Sequence, residues 1–368
     1  MKRVLLMMLL LGMVLTSAAQ TLPVELDSLM SRSFPADKPG GALYVQLNGK
    51  TVYQKGFGLA DLTNGKAVTP ETTFRLASVT KQFTAMCILL LDKQKKLSVD
   101  DPLLQFFPAF NPVLGKKITV RHLLTHTSGL VDYETLLAPD RVVPVSDAEV
   151  LALVGQRDST YFEPGTDFRY SNTGYCLLEQ IVEKTAKQPF STFLKQNIFD
   201  PLGMTATRLY EPQLIIPNRA MGYAEDESGA IQAADQSVTS ATKGDGCIYT
   251  SIKDYQKWLE ALDQNRLVNL PAALSRISQP LGDGTNAFYG CGWFQYRPED
   301  ADMEYFHSGS TSGFSTFVVR VPGQKLAIVL FSNLANNTNP FAEVLDIITA
   351  ISDNPPRIDV WAMHDLTR

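Results

Sequence analysis

The sequence predicts an α/β chain of the α+β type: one antiparallel sheet, flanked by helices and built from both ends of the chain, with a mostly helical region inserted. Three observations carry this. Strand-like runs Ala42 to Leu47 and Thr51 to Gln54 flank Asn48-Gly49, a strong hairpin signal. A second strand pair, Ser315 to Val321 and Leu326 to Phe331, is separated by Pro322-Gly323. The pattern between Ser78 and Asp263 is mostly helical, with no crossover βαβ repeat.

Taken in order, the first element is not part of the fold. Lys2 and Arg3 precede an apolar run from Val4 to Thr16, and Ser17-Ala18-Ala19 offers small residues before Gln20. Residues 1–19 therefore read as a signal peptide, since the run is shorter than the roughly 20 residues needed to span a bilayer. The expected location is outside the cytoplasm, periplasmic or secreted, with no stable membrane anchor after cleavage. Residues 20–77 and 264–352 are assigned to the sheet domain, and 78–263 to the inserted domain. Helical spacing marks Ser78 to Leu91, Val120 to Thr125, Thr173 to Lys184, Ile252 to Leu262 and Phe341 to Ile351. Residues 353–368, with Pro355-Pro356, read as an extended C-terminal tail.

With 368 residues and 45% hydrophobic content, the chain can bury a sizeable core without staples. A net charge of −5 argues against a nucleic-acid partner. The four histidines are too scattered for a His-rich metal site, and the four cysteines form no C-x-x-C pair. Cys87 and Cys176 fall in helical stretches and read as buried thiols, whereas a Cys247–Cys291 bridge is left open.

Several chemistries are absent. Gly309 to Gly313 is the nearest string to G-x-S-x-G, but Thr311 stands at the nucleophile position. There is no Walker A loop and no G-x-G-x-x-G. His122 and His126 lack the glutamate of H-E-x-x-H and are expected to pack around a turn.

What remains is a set of three strings. Ser78-x-x-Lys81 opens a helix-patterned run, and i,i+3 spacing brings the Lys81 amine to the Ser78 hydroxyl, a poor nucleophile unless a base takes its proton. In Tyr170-x-Asn172, two residues of an extended loop point the same way, with a phenol to carry protons and an amide to hold substrate or lysine. Asn172 is also a good cap for the following helix. In His307-Ser308-Gly309-Ser310, Gly309 permits close backbone approach at a sheet edge. The Ser310 N–H can then face that of Ser78 as a pair of oxyanion donors. His307 is expected to carry partial charge near neutral pH and to meet a carboxylate or ester oxygen.

In this order the strings resemble the serine β-lactamase and penicillin-recognising family, in its class C-like branch of D-alanyl-D-alanine carboxypeptidases, D-aminopeptidases and esterases. The resemblance spans residues 24–350 and includes Phe57–Asp61, Thr69–Arg75, Lys96–Pro102, Ile118–Leu130, Ile198–Met204 and Gly244–Ser251. It implies a β-lactamase/transpeptidase-like fold needing no cofactor or metal. It also implies Ser78 as the acylated nucleophile, with Lys81 and Tyr170 as proton carriers. Asn172, His307 and Gly309 would contact substrate, and the Ser78 and Ser310 N–H groups would form the oxyanion hole. Two positions depart from the pattern. His307 stands where the lactamases usually carry lysine, as in the esterase and peptidase members, and Cys247 stands where many relatives have glycine.

The resulting expectation is an exported serine hydrolase acting through an acyl-enzyme on an ester or amide bond of a small molecule or peptide, with a cell-wall peptide or ester among the candidates. The alternatives are a non-catalytic, penicillin-binding-like sensor and a true class C-like β-lactamase.

Overall fold

A computed structural model describes residues 22–282, 284–352 and 354–367. The signal-peptide assignment at 1–19 lies outside the described residues. Asn48 and Gly49 both take positive φ, 51° and 78°, as a two-residue hairpin turn requires. They join β1 (Gly41–Leu47) to β2 (Lys50–Phe57). The remaining strands of the main sheet come from the far end of the chain: β3 (Gln279–Pro280), β4 (Ala287–Gly290), β5 (Trp293–Tyr296), β6 (Glu304–Thr311), β7 (Phe314–Val321) and β8 (Leu326–Ser332). The eight strands lie in the order β3-β4-β5-β6-β7-β8-β1-β2, antiparallel throughout.

Burial on both faces explains why β7 and β8 read as nearly continuous apolar runs. Leu43, Val45, Phe317, Val319, Ile328 and Leu330 face one side with helix α1 (residues 22–33) and α5 (Asn339–Ile351). Ala42, Tyr44, Val318, Val329 and Phe331 face the other, alternating along each strand as the pleat demands. There they meet α2 (Lys81–Lys93) and α4 (Ile252–Asp263). Phe83 of α2 stacks on Trp258 of α4 at 4.3 Å between ring centroids. Gln82 then joins the pair by accepting from Tyr255 Oη at 2.7 Å and from Trp258 Nε1 at 3.2 Å.

The middle of the chain is mainly helical, but it also holds short strands, among them Arg208–Leu209 and Ile248–Thr250, which pair with Phe74–Arg75 from the preceding segment as a small sheet. The tail differs from its expected extended form. It folds into α6 (Val360–Asp365), which packs against β6. No helix among the described residues is long and apolar enough to cross a membrane.

Candidate active site

Ser78 lies in a 3-10 turn, Ala77–Thr80, that runs directly into α2. Ala77 takes φ 47°, a left-handed conformation seldom used by a residue with a Cβ. The turn is held from behind. Leu76 N donates to the Ile248 carbonyl at 2.8 Å, and Ile248 N donates to Thr80 Oγ1 at 3.1 Å. The buried Arg75 guanidinium donates to the Gly246 carbonyl at 3.0 Å and the Ser240 carbonyl at 2.9 Å.

Lys81, the first residue of α2, is fully buried. Its Nζ reaches Ser78 Oγ at 2.9 Å, Asn172 Oδ1 at 2.8 Å and the Asp245 carbonyl at 3.1 Å. The Asp245 carbonyl is fixed by its neighbours: Asp147 accepts the N–H groups of Lys243 at 2.6 Å and Gly244 at 3.1 Å. Asp245 itself is buried, with Oδ1 left without a partner, and burial raises its carboxyl above the usual range.

Asn172 is the first residue of α3 (Asn172–Ala186), yet the N-cap is Ser171, whose hydroxyl accepts from Gly174 N at 3.3 Å. The capping role expected of Asn172 thus falls one residue earlier. Its amide is left to hold Lys81 through Oδ1 and to donate through Nδ2 to Glu134 Oε1 at 2.8 Å. Burial raises the Glu134 carboxyl, and the hydrogen bond from Asn172 opposes that shift. No motif pointed to Glu134.

The Tyr170 ring lies 5.0 Å from Lys81 Nζ, and its hydroxyl is buried with no hydrogen-bond partner. Behind it, the His126 ring packs tilted against it at 4.3 Å between centroids and accepts Ser171 N on Nδ1 at 3.1 Å. His126 thus packs around a turn, as expected, and burial holds it well below its ordinary value. His122 likewise serves a turn, accepting Thr119 N on Nδ1 at 3.3 Å in a capping box.

The third string runs along β6 beside Ser78. A Cβ on Gly309 would fall 2.3 Å from the Leu76 carbonyl oxygen and 3.0 Å from Ser78 N, so only glycine lets the strand come this close. Ser78 and the exposed Ser310 line one pocket together with Glu134, Asn172 and Asp245. His307 departs from the expected partial charge. It is fully buried, and its Nδ1 lies 2.6 Å from the Ser308 carbonyl, which can only accept. Nδ1 therefore carries the hydrogen, and Nε2 accepts from the Tyr289 hydroxyl at 3.2 Å. Burial pushes the imidazole down to about 3, so it is neutral and presents no cation to a substrate.

Cys247 faces away from the pocket. Its thiol donates to the Ser240 carbonyl at 3.1 Å and accepts from Arg75. All four cysteines are free and buried, so the possible Cys247–Cys291 bridge is not formed. Among the described residues no group of three or more His, Cys, Asp or Glu side chains could hold a metal ion.

Comparisons with known proteins agree with this fold. A family profile described as Beta-lactamase matches residues 31–351. Penicillin-binding protein 4* of Bacillus subtilis is 31% identical over 313 residues, covering 81% of this chain and 69% of that protein. Protein flp of Staphylococcus aureus is 27% identical, covering 82% of this chain and 61% of its own length. Among solved structures, the octameric penicillin-binding protein homologue from Pyrococcus abyssi superposes with a TM-score of 0.76 at 26% identity, over 90% of this chain and 78% of that one. The D-amino acid amidase from Ochrobactrum anthropi, complexed with D-phenylalanine, gives 0.71 at 26% identity, over 89% of this chain and 100% of that one.

Proposed function

The chain belongs to the beta-lactamase family, and on that premise we propose that it cleaves an ester or amide bond through an acyl-enzyme on Ser78. Serine hydrolase chemistry is common to its penicillin-binding and amidase relatives. The observation that carries the reading is the set of neighbours around Lys81 Nζ. Two of them, Asn172 Oδ1 and the Asp245 carbonyl, can only accept hydrogen bonds, while the third is the Ser78 hydroxyl. An uncharged amine places its two N–H groups on those acceptors and keeps its lone pair for the Ser78 proton. Ser78 Oγ then attacks the carbonyl carbon, and the N–H groups of Ser78 and Ser310 receive the oxyanion. The unpartnered Tyr170 hydroxyl supplies the leaving group's proton; water then attacks the acyl carbon and returns a proton to Tyr170, and Ser78 Oγ departs with the proton held by Lys81.

A carboxypeptidase- or esterase-like activity fits better than β-lactam hydrolysis, because the neutral His307 offers no fixed cation for a drug's carboxylate. The signal-like residues 1–19 support an exported enzyme acting on small molecules or peptides.

The test is release of 4-nitrophenol from a short-chain ester, beside D-amino acid anilides and a chromogenic cephalosporin, by the wild type and Ser78→Ala. Release that depends on Ser78, strongest for an ester or anilide, supports the reading. No release above Ser78→Ala with any substrate favours a binding protein, and preference for the cephalosporin favours a lactamase.

A further inference from the structure

The C-terminal segment is fastened at several points to the strand that carries the third motif. Arg357 N and Ile358 N both donate to Glu304 Oε2, each at 2.7 Å, at the start of β6. Asp359 caps α6 by accepting Trp361 N at 3.1 Å and Ala362 N at 2.9 Å. Ile358, Val360 and Met363 are buried in the core below. Further along β6, Ser308 Oγ lies 2.8 Å from His364 Nδ1. The chain then turns back on itself, with Thr367 donating through N and Oγ1 to the His364 carbonyl at 3.0 and 2.7 Å.

Its last residues line a cavity that adjoins the Ser78 pocket, the two sharing Glu134 and Asn172. The cavity, of about 670 Å³, is lined on one side by Glu134, Tyr170 and Asn172, and it is also lined by Asp365, Leu366 and Thr367. This is within the size range that holds small ligands. Leu366 is the apolar side chain of the three and is 42% exposed. Because α6 is bolted to β6, the position of Leu366 is tied to that of His307–Ser310.

We propose that residues 360–367 form a fixed wall of the substrate cleft, and that Leu366 limits the size of the leaving group that can lie against Tyr170. The inference rests on the reading of Ser78 as an acylated nucleophile and of Tyr170 as proton donor to the departing group. It adds a specificity-determining residue that lies outside the three motifs.

The experiment uses the full chain with Leu366→Ala and Leu366→Trp, an exposed position where both substitutions leave the core intact. The substrates are acetate esters whose alcohol grows from ethyl through phenyl to naphthyl. Acyl-enzyme and deacylation are then common to all, and kcat/KM reports acylation alone. Leu366→Trp is expected to lower the naphthyl-to-ethyl ratio of kcat/KM by about tenfold, and Leu366→Ala to raise it by a few-fold. Ratios within about twofold of wild type in both variants overturn the wall. The underlying reading fails differently: no ester is cleaved by the wild type, or cleavage survives Ser78→Ala. Either result removes the inference with it.

Discussion

His307 Nε2 and the Tyr289 hydroxyl meet at 3.2 Å in a layer that solvent does not reach. The contact sits below Tyr170, whose ring centroid is 6.1 Å from that of His307. A position that the sequence suggests for substrate recognition thus packs as a buried ring among Tyr170, Tyr289 and Phe294.

This burial has a signature in acid. The imidazole is pushed down to about 3 in the folded chain, against about 6.5 when unfolded. Between those values the unfolded chain binds a proton that the folded chain refuses. Stability therefore rises with pH through this window and is lost as pH falls towards about 3. His307→Gln should shrink the loss of denaturation midpoint between about pH 7 and about pH 4. An unchanged loss would mean that His307 takes no part in acid sensitivity.

Much of the scaffold was legible because its signals are local. Asn48-Gly49 fits a turn that needs positive φ twice, and i,i+3 spacing brings Lys81 to Ser78 within one turn. The charge state of His307 was not legible, because it depends on Tyr289 and Phe294, which other strands bring to its ring. Glu134 belongs to no motif and joins the site by lining the Ser78 pocket and by accepting from the Asn172 amide. Pro355-Pro356 suggested an extended tail, but nothing local could reveal that Glu304 captures the two N–H groups just beyond it.

Tyr170 separates function from stability. Its hydroxyl is buried without a partner, so Tyr170→Phe removes a polar group that makes no hydrogen bond in the free protein. The variant should melt at or slightly above the wild-type temperature. Turnover should fall by about 10² to 10⁴ if the hydroxyl carries the leaving-group proton. Ester hydrolysis within a few-fold of wild type would remove that role.

Ser78 and Lys81 should part company in the same assay of stability. Ser78→Ala removes one hydroxyl from a partly open turn and should fold normally while losing nearly all turnover. Lys81→Ala also loses turnover, but it empties a fully buried position and leaves Asn172 Oδ1 and the Asp245 carbonyl without their shared donor. It should destabilise the fold by about 1–3 kcal/mol for each acceptor left unsatisfied. Equal melting temperatures for the two variants would show that Lys81 does not brace the site.

Glu179 carries the opposite pH dependence to His307. It is 1% exposed, and burial, with the Asp147 charge beside it, raises its carboxyl. Asp147 is raised in the same way, by burial and by Asp245. These carboxyls lie behind the turn whose Asp245 carbonyl accepts from Lys81. As pH rises past about 4.3, the unfolded Glu179 releases its proton while the folded one keeps it, so stability falls with pH until the folded group also ionises. Glu179→Gln fixes the uncharged form and removes that penalty. Its melting temperature should exceed wild type by more at about pH 8 than at about pH 5. A constant difference across that range would show that Glu179 is ionised in the folded chain throughout.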